Sequence, residues 1–203
     1  FITFEGGEGG GKSTQVAELE KYLRSVGYKV CLTREPGGSK LAEKIRNLIL
    51  KGEEITDPLT EYLLICAARR DHYLNFILPK LQENYIVISD RFVDSSLVYQ
   101  GFVKGLAIEK MIALHEDVLG PIYPNVTLLL DLDVDVAQQR LQVNRNTSEY
   151  THYDKQNRCF HQKIRDGFLK LAEFYRDRYR IIDAGKAKEE VFADILSALK
   201  LTS

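Results

Sequence analysis

Gly6-Gly-Glu-Gly-Gly-Gly11-Lys12-Ser13-Thr14 sets an ammonium and two hydroxyls directly behind a run of glycines, in the spacing G-x-x-x-x-G-K-[ST]. Chemistry with phosphate needs that order. Gly6, Gly7, Gly9, Gly10 and Gly11, together with Glu8, form a loop whose backbone N–H groups can wrap phosphate oxygens, and a helix opening behind it adds positive potential. Lys12 has the reach for β- and γ-phosphates, and Ser13 is placed to bind Mg²⁺. Lys12 is expected to be solvated in the free protein. The motif therefore predicts a nucleoside triphosphate site spanning residues 6–14.

Two further cations stand after β-rich runs. Thr33-Arg34-Glu35-Pro36-Gly37-Gly38 follows one of them, and Asp90-Arg91-Phe92 follows the next. Pro36 keeps Glu35 extended, and the two glycines permit a turn that other residues resist. Arg34 and Arg91 at neighbouring strand ends would make a fork for a phosphate monoester. A GTPase switch should carry N-K-x-D, which this sequence lacks. Asp117-Val-Leu-Gly120 matches D-x-x-G but ends a helical pattern and is read as chance. A small P-loop kinase remains. Its competitors are another nucleoside monophosphate kinase and a non-catalytic ATP-binding module.

These residues need a scaffold, and the hydrophobic pattern supplies one. Phe1–Glu5, Tyr28–Thr33, Tyr85–Ser89, Val126–Leu130 and Tyr179–Asp183 are short, apolar and rich in β-branched or aromatic residues. Between them run helical periods such as Val16, Leu19, Leu23 and Val26, or Val191, Ile195 and Leu199. Alternation of this kind predicts an α/β, three-layer α/β/α domain around a five-stranded parallel sheet of the P-loop NTPase type. Each run ends in charge: Glu5, Arg34–Glu35, Asp90–Arg91, Asp131 with Asp133, and Asp183. Ligands of open α/β sheets bind beyond the carboxyl ends of the strands, so one edge should gather the polar residues. The stretch Asp57 to Asn84 reads as one helix with Pro79 in its last turns and Asp57–Pro58 as its start. The polar stretch from Asn144 to Asn157 is either a lid or a surface loop.

Composition narrows the classes. At 203 residues one domain is the default, 1–203, with the 144–157 segment as its candidate lid. The net charge of −1 gives no basic field for nucleic acid or an anionic membrane. No apolar run approaches a membrane span. Three scattered cysteines and four histidines lack metal-ligand spacing, so free thiols in the cytoplasm are expected. The chain opens at Phe1 inside a strand-like run, so a few residues are expected to precede it.

F-I-T-F-E-G-G-E-G-G-G-K-S-T, T-R-E-P-G-G, D-R-F-x-D-S-S-x-x-Y-Q-G, L-x-L-D-x-D and I-I-D-A occur in this order and resemble bacterial thymidylate kinases over essentially the whole chain. The resemblance implies transfer of the ATP γ-phosphoryl group to dTMP with Mg²⁺, in a cytoplasmic homodimer. Carried over, Arg34 and Arg91 grip the dTMP phosphate, Asp90 positions Mg²⁺ through water, and Glu8 approaches the 3′-hydroxyl. Arg69 hydrogen-bonds thymine, while Ser96, Tyr99 and Gln100 read the base and exclude a 2′-hydroxyl. Arg140 lies over adenine at the base of the lid. Gly9 stands where another branch of the family carries an arginine, so the catalytic lid charge is assigned to Arg145.

Two positions depart from the family pattern. Ile65 replaces the usual phenylalanine that stacks on thymine, and Tyr62 is a candidate to fill that space. In the lid, Thr151-His152-Tyr153-Asp154 stands where D-R-[FI]-E is usual, leaving His152 or Lys155 in the arginine's place.

Overall fold

The computed structural model describes residues 1–51, 57–143 and 157–201. Five strands, β1 (Ile2–Glu5), β2 (Val30–Arg34), β3 (Ile86–Asp90), β4 (Val126–Asp131) and β5 (Tyr179–Asp183), form one sheet in the order β2-β3-β1-β4-β5. Every pairing is parallel, as the strand–helix alternation predicts. Arg34, Asp90, Asp131 and Asp183 are the last residues of their strands, with Arg34 opposite Asp90 and Asp131 opposite Asp183. The polar edge is thus held in register by backbone pairing.

Alternate strand residues feed two cores. Phe4, Val30, Ile88, Leu128, Leu130 and Ile182 face helices α1 (Lys12–Ser25) and α9 (Lys188–Ala198), which contribute Leu19, Leu23, Val191 and Ile195. Val87, Leu129 and Tyr179 face the other way, toward Tyr62, Phe92, Leu97, Phe168 and Leu171. A sheet apolar on both faces needs both layers of helix. Val26, counted in the period of the first helix, is instead its C-cap and half exposed.

α2 (Lys40–Lys51) and α3 (Pro58–His72) follow β2, and Asp57 caps α3 by accepting from the Thr60 backbone N–H at 2.7 Å. The single helix expected over 57–84 is modified. α3 runs through a π-helical turn, Tyr73–Ile77, into α4 (Leu78–Gln82). A second π-helical stretch, Leu97–Val103, continues α5 (Val93–Ser96) and carries Tyr99 and Gln100. Such widened turns recur at functional sites because they re-aim side chains without breaking the helix. α6 (Ile108–Leu119) ends at Gly120, φ 85°, which makes Asp117–Gly120 a helix terminus and no switch motif. α7 (Val134–Val143) and α8 (Arg158–Phe174) complete the chain order. The candidate lid, with Arg145, His152 and Lys155, lies outside the described residues except for Asn157, which caps α8. Among the described residues no helix is long and apolar enough to cross a membrane, and Cys31, Cys66 and Cys159 are all free.

Candidate active site

The loop between β1 and α1 owes its path to positions that only glycine fills. Gly9 has φ +75°, and a Cβ there would stand 2.9 Å from the Ala137 carbonyl oxygen, so an arginine at this position would clash with α7. Lys12 Nζ donates to Gly7 O at 2.8 Å and Gly6 O at 3.2 Å, and the residue is buried. The expectation of a solvated Lys12 is therefore corrected. Its stem lies across the loop, where the ammonium meets carbonyls that no strand or helix satisfies. Burial, then the Arg91 guanidinium, lowers its pKa, while Glu8 and Asp90 pull the other way.

Ser13 Oγ lies 3.4 Å from Asp90 Oδ2, joining α1 to the end of β3. Asp90 Oδ1 is buried with no hydrogen-bond partner among the described residues. A hydroxyl beside a half-unsatisfied carboxylate is a donor set that suits a hard, oxygen-seeking cation. Among the described residues there is no cluster of three acidic, His or Cys side chains that would hold a metal by itself. Phosphate oxygens and water would have to complete the coordination.

Arg91, expected to grip the acceptor phosphate, lines the cleft just past the end of β3. Its backbone takes φ 71°, a left-handed conformation that an arginine adopts only when its surroundings impose it. The Arg91 N–H donates to Phe4 O at 2.9 Å, and its guanidinium reaches Glu8 Oε1 at 2.6 Å, Ser95 Oγ at 3.0 Å and Gly6 O at 3.1 Å. It also lies over the Tyr99 ring, whose hydroxyl donates to Glu8 at 3.2 Å. Burial raises the Glu8 pKa, but Arg91 and Lys12 outweigh it and bring the carboxyl down to about 2. Arg34 behaves differently: it is half exposed and reaches Glu43 at 3.2 Å. Both arginines line the same cleft, yet each is held by its own carboxylate.

At the far end, Arg69 is almost fully buried. Its Nε donates to Glu35 Oε2 at 2.7 Å, Nη2 donates to Ser96 Oγ at 2.7 Å, and the guanidinium lies over the Phe92 ring. Nη1 is buried and has no hydrogen-bond partner among the described residues. Glu35 is shared with His72, 3.1 Å away, whose Nε2 lies 2.6 Å from Thr33 Oγ1. Burial raises the Glu35 pKa, but Arg69 leads the effects that leave it below the ordinary carboxylate range. Gly38 closes this corner at φ +84°, where a Cβ would come within 2.3 Å of His72 Nε2. Gln100, which lines the same cleft as Arg69, donates through Nε2 to Glu61 Oε1 at 2.8 Å and leaves Oε1 buried without a hydrogen-bond partner among the described residues.

One cleft of about 1060 Å³ joins these features. It is lined by Glu8 to Thr14, Arg34, Ile65, Arg69, Asp90, Arg91, Ser96, Tyr99, Gln100 and Arg140. Gly6 and Gly7 line a small cavity on the loop's other side, against Leu130–Leu132. Arg140 donates to Ala184 O at 2.9 Å, tying α7 to the turn after β5. Tyr62 does not fill the space beside Ile65: it is fully buried and its hydroxyl donates to Met111 O at 2.7 Å. Phe76, on the first π-helical turn, lines the same cleft as Ile65, as do Phe92 and Tyr99. Sequence reasoning missed Phe76, Glu35 and Arg46, another cleft cation, whose Nη1 donates to Pro36 O at 2.9 Å. Phe76 offered no motif. Glu35 was visible in T-R-E-P-G-G but read only for its backbone.

A phosphate loop at the end of a central parallel strand, opening into a cleft walled by arginines, defines a P-loop NTPase of the phosphotransferase kind. The family model described as thymidylate kinase matches residues 4–195. The chain is 43% identical over 200 residues to "Thymidylate kinase" of Geobacillus sp. (strain WCH70), covering 98% of this chain and 95% of that one. It is 41% identical over 201 residues to the Halalkalibacterium halodurans protein of the same name, with 98% and 95% covered. The crystal structure of thymidylate kinase from Ehrlichia chaffeensis superposes with a TM-score of 0.78 at 34% identity, covering 98% of this chain and 97% of that one. This chain belongs to the thymidylate kinase family, whose members are phosphotransferases.

Proposed function

We propose that this chain transfers the γ-phosphoryl group of ATP to dTMP, giving dTDP, for DNA precursor synthesis. The reading is supported above all by a buried donor of Arg69 and a buried acceptor of Gln100, two residues lining one cleft, that have no hydrogen-bond partner among the described residues. Thymine presents the complement, a carbonyl acceptor at O4 beside an N–H donor at N3. Cytosine presents an amino donor at the first of these positions. Buried polar atoms left unpaired are costly, so a base of the right pattern is favoured.

ATP occupies the loop of residues 6–14 with Arg140 beside the adenine. The dTMP phosphate meets Arg91 and Arg34, and its 3′-hydroxyl meets the ionised Glu8. Ser96 and Tyr99 crowd the sugar. Ser13 and, through water, Asp90 would hold Mg²⁺, which would supply positive charge against the β- and γ-phosphates. The acceptor phosphate has a second pKa near ~6 and is already a nucleophile at pH 7, so no general base is required. Lys12 exchanges Gly6 and Gly7 for the donor phosphates and, with Arg34 and Arg91, offsets the repulsion between two polyanions. Arg145, in the 144–157 segment of the single 1–203 domain and outside the described residues, is the candidate for a further cation on the transferring group. The enzyme works as a cytoplasmic homodimer, without nucleic acid or membrane partners.

Turnover with dTMP, dUMP, UMP, AMP and CMP at one concentration, with Mg²⁺ and ATP, tests the reading. dTMP should lead the panel. Faster turnover of UMP, AMP or CMP would assign the chain another acceptor, and no turnover with any would leave a nucleotide-binding module.

A further inference from the structure

An isolated glutamine amide can present either its oxygen or its nitrogen to a ligand, so Gln100 reads a base only if something fixes its rotation. Its position is secured first. It sits on the π-helical stretch Leu97–Val103, and its own carbonyl accepts from the Leu106 N–H at 3.0 Å. Its amide then meets Glu61, in the first turn of α3, whose Oε1 accepts from Gln100 Nε2 at 2.8 Å. Lys104 donates to the other oxygen of Glu61. Glu61 is buried, and Lys104 is a quarter exposed. A carboxylate paired with an ammonium accepts and does not donate. The rotated amide would put oxygen against oxygen in a buried pocket. Nε2 must therefore face Glu61, which leaves Oε1 without a partner among the described residues, on a side chain that lines the cleft.

We propose that Glu61 is a specificity-determining positioning residue: with Lys104 it locks the Gln100 amide so that an acceptor faces the base, selecting bases that carry N–H at N3. This rests on reading the cleft as the dTMP site. Glu61 itself touches no substrate. It sets which atom of Gln100 does.

Glu61→Gln keeps the size of the side chain and reverses the lock: Lys104 still donates to the oxygen at 61, so the amide nitrogen there faces residue 100 and turns Nε2 of Gln100 toward the base. The preference for dTMP over dCMP, as the ratio of kcat/KM values, should fall about tenfold or more. The dTMP to dUMP ratio should stay within about twofold, because both bases carry the N3 hydrogen, and KM for ATP should not move. The exchange Glu61→Gln/Gln100→Glu then restores the network. Gln at 61 accepts from Lys104 and donates to Glu at 100, which again turns an acceptor to the base. This double variant should recover most of the dTMP over dCMP preference. A Glu61→Gln enzyme with unchanged preference, or a folded double variant that does not recover it, overturns the proposal. Should Glu61→Gln not fold, the double variant alone decides by whether its preference matches wild type. If wild type itself fails to phosphorylate dTMP, the proposed function falls first, and the Glu61 role falls with it.

Discussion

Glu8 and Arg91 meet at 2.6 Å across the mouth of the cleft, so the phosphate loop holds the guanidinium of the acceptor side in place before any substrate arrives. The pair also explains how Arg91 keeps its left-handed backbone: Gly6, Ser95 and Glu8 grip the side chain while Phe4 takes the N–H. Donor and acceptor halves of the site are thereby built as one piece.

Arg91→Ala should reduce dTMP-dependent turnover far more than ATP binding. Loss of a charge-assisted contact to phosphate is worth about 1.5–3 kcal/mol, roughly ten- to a hundredfold in kcat/KM for dTMP. Steady-state kinetics beside ATP-analogue titration measure both. Equal losses on the two substrates would move Arg91 off the acceptor.

Lys12→Ala should lower kcat by about 10³-fold or more, since its charge acts on the transferring group. Because Lys12 also ties down Gly6 and Gly7, this variant should lose some stability as well, in contrast to a solvated lysine. Activity and thermal unfolding read the two effects separately. A folded variant with near-normal turnover would remove the phosphate-loop role.

Asp90→Asn should raise the Mg²⁺ concentration needed for half-maximal activity by about tenfold, since one carboxylate charge leaves the cation site. Titration of activity with Mg²⁺ at fixed ATP checks it. An unchanged Mg²⁺ curve would place the ion elsewhere.

Ile65→Phe should tighten dTMP by about 0.5–1.5 kcal/mol through an added aromatic face in the cleft. Ile65 borders the cleft on one side and Ala42, Ile45 and Ala68 on the other, so the ring must turn toward the cleft. Weaker dTMP binding by calorimetry, with an intact fold, would show that it packs inward instead.

Glu5 gives a pH signature. Burial, then the neighbouring Asp94 carboxylate, raises its pKa to about 8. Folded, it holds a proton between about pH 4.5 and 8 that the unfolded chain, with an ordinary carboxyl, has released. Stability contributed by this group is fully present below that window and is lost as pH rises through it. Glu5→Gln, which keeps the bond from the Phe92 N–H, should flatten the fall in Tm between pH 5 and 8 by something on the order of 5 °C. Parallel Tm slopes for both proteins would count against a protonated Glu5.

The phosphate loop was legible because its chemistry is backbone chemistry, and Gly9 shows why only glycine serves there. Strand ends were legible too: Arg34, Asp90 and Asp183 end runs whose apolar character a two-sided sheet demands. The pairing of Glu35 with Arg69 was not, since it joins residues 34 apart on a strand end and a helix face that only the packed fold brings together. Nor was the partner of Arg34. Glu43 sits one helix later, and nothing in T-R-E-P-G-G points to it. The two π-helical turns escaped for another reason: one extra residue per turn barely disturbs a helical period, yet it moves Phe76 and Gln100 onto the cleft.

The strand order has a consequence for synthesis. β1 is central, and its two neighbours are β3 and β4, which end at residues 90 and 131. The phosphate loop leaves the ribosome early, but β1 is flanked on both sides only once β4 emerges. At about 5–20 residues per second that interval is roughly 6–25 s. Throughout it the apolar β1 segment, with Phe4 destined for zero exposure, lacks at least one of its two partners. Nascent chains halted before residue 131 should therefore be the ones that chaperones retain, while those released after β5 can bind nucleotide.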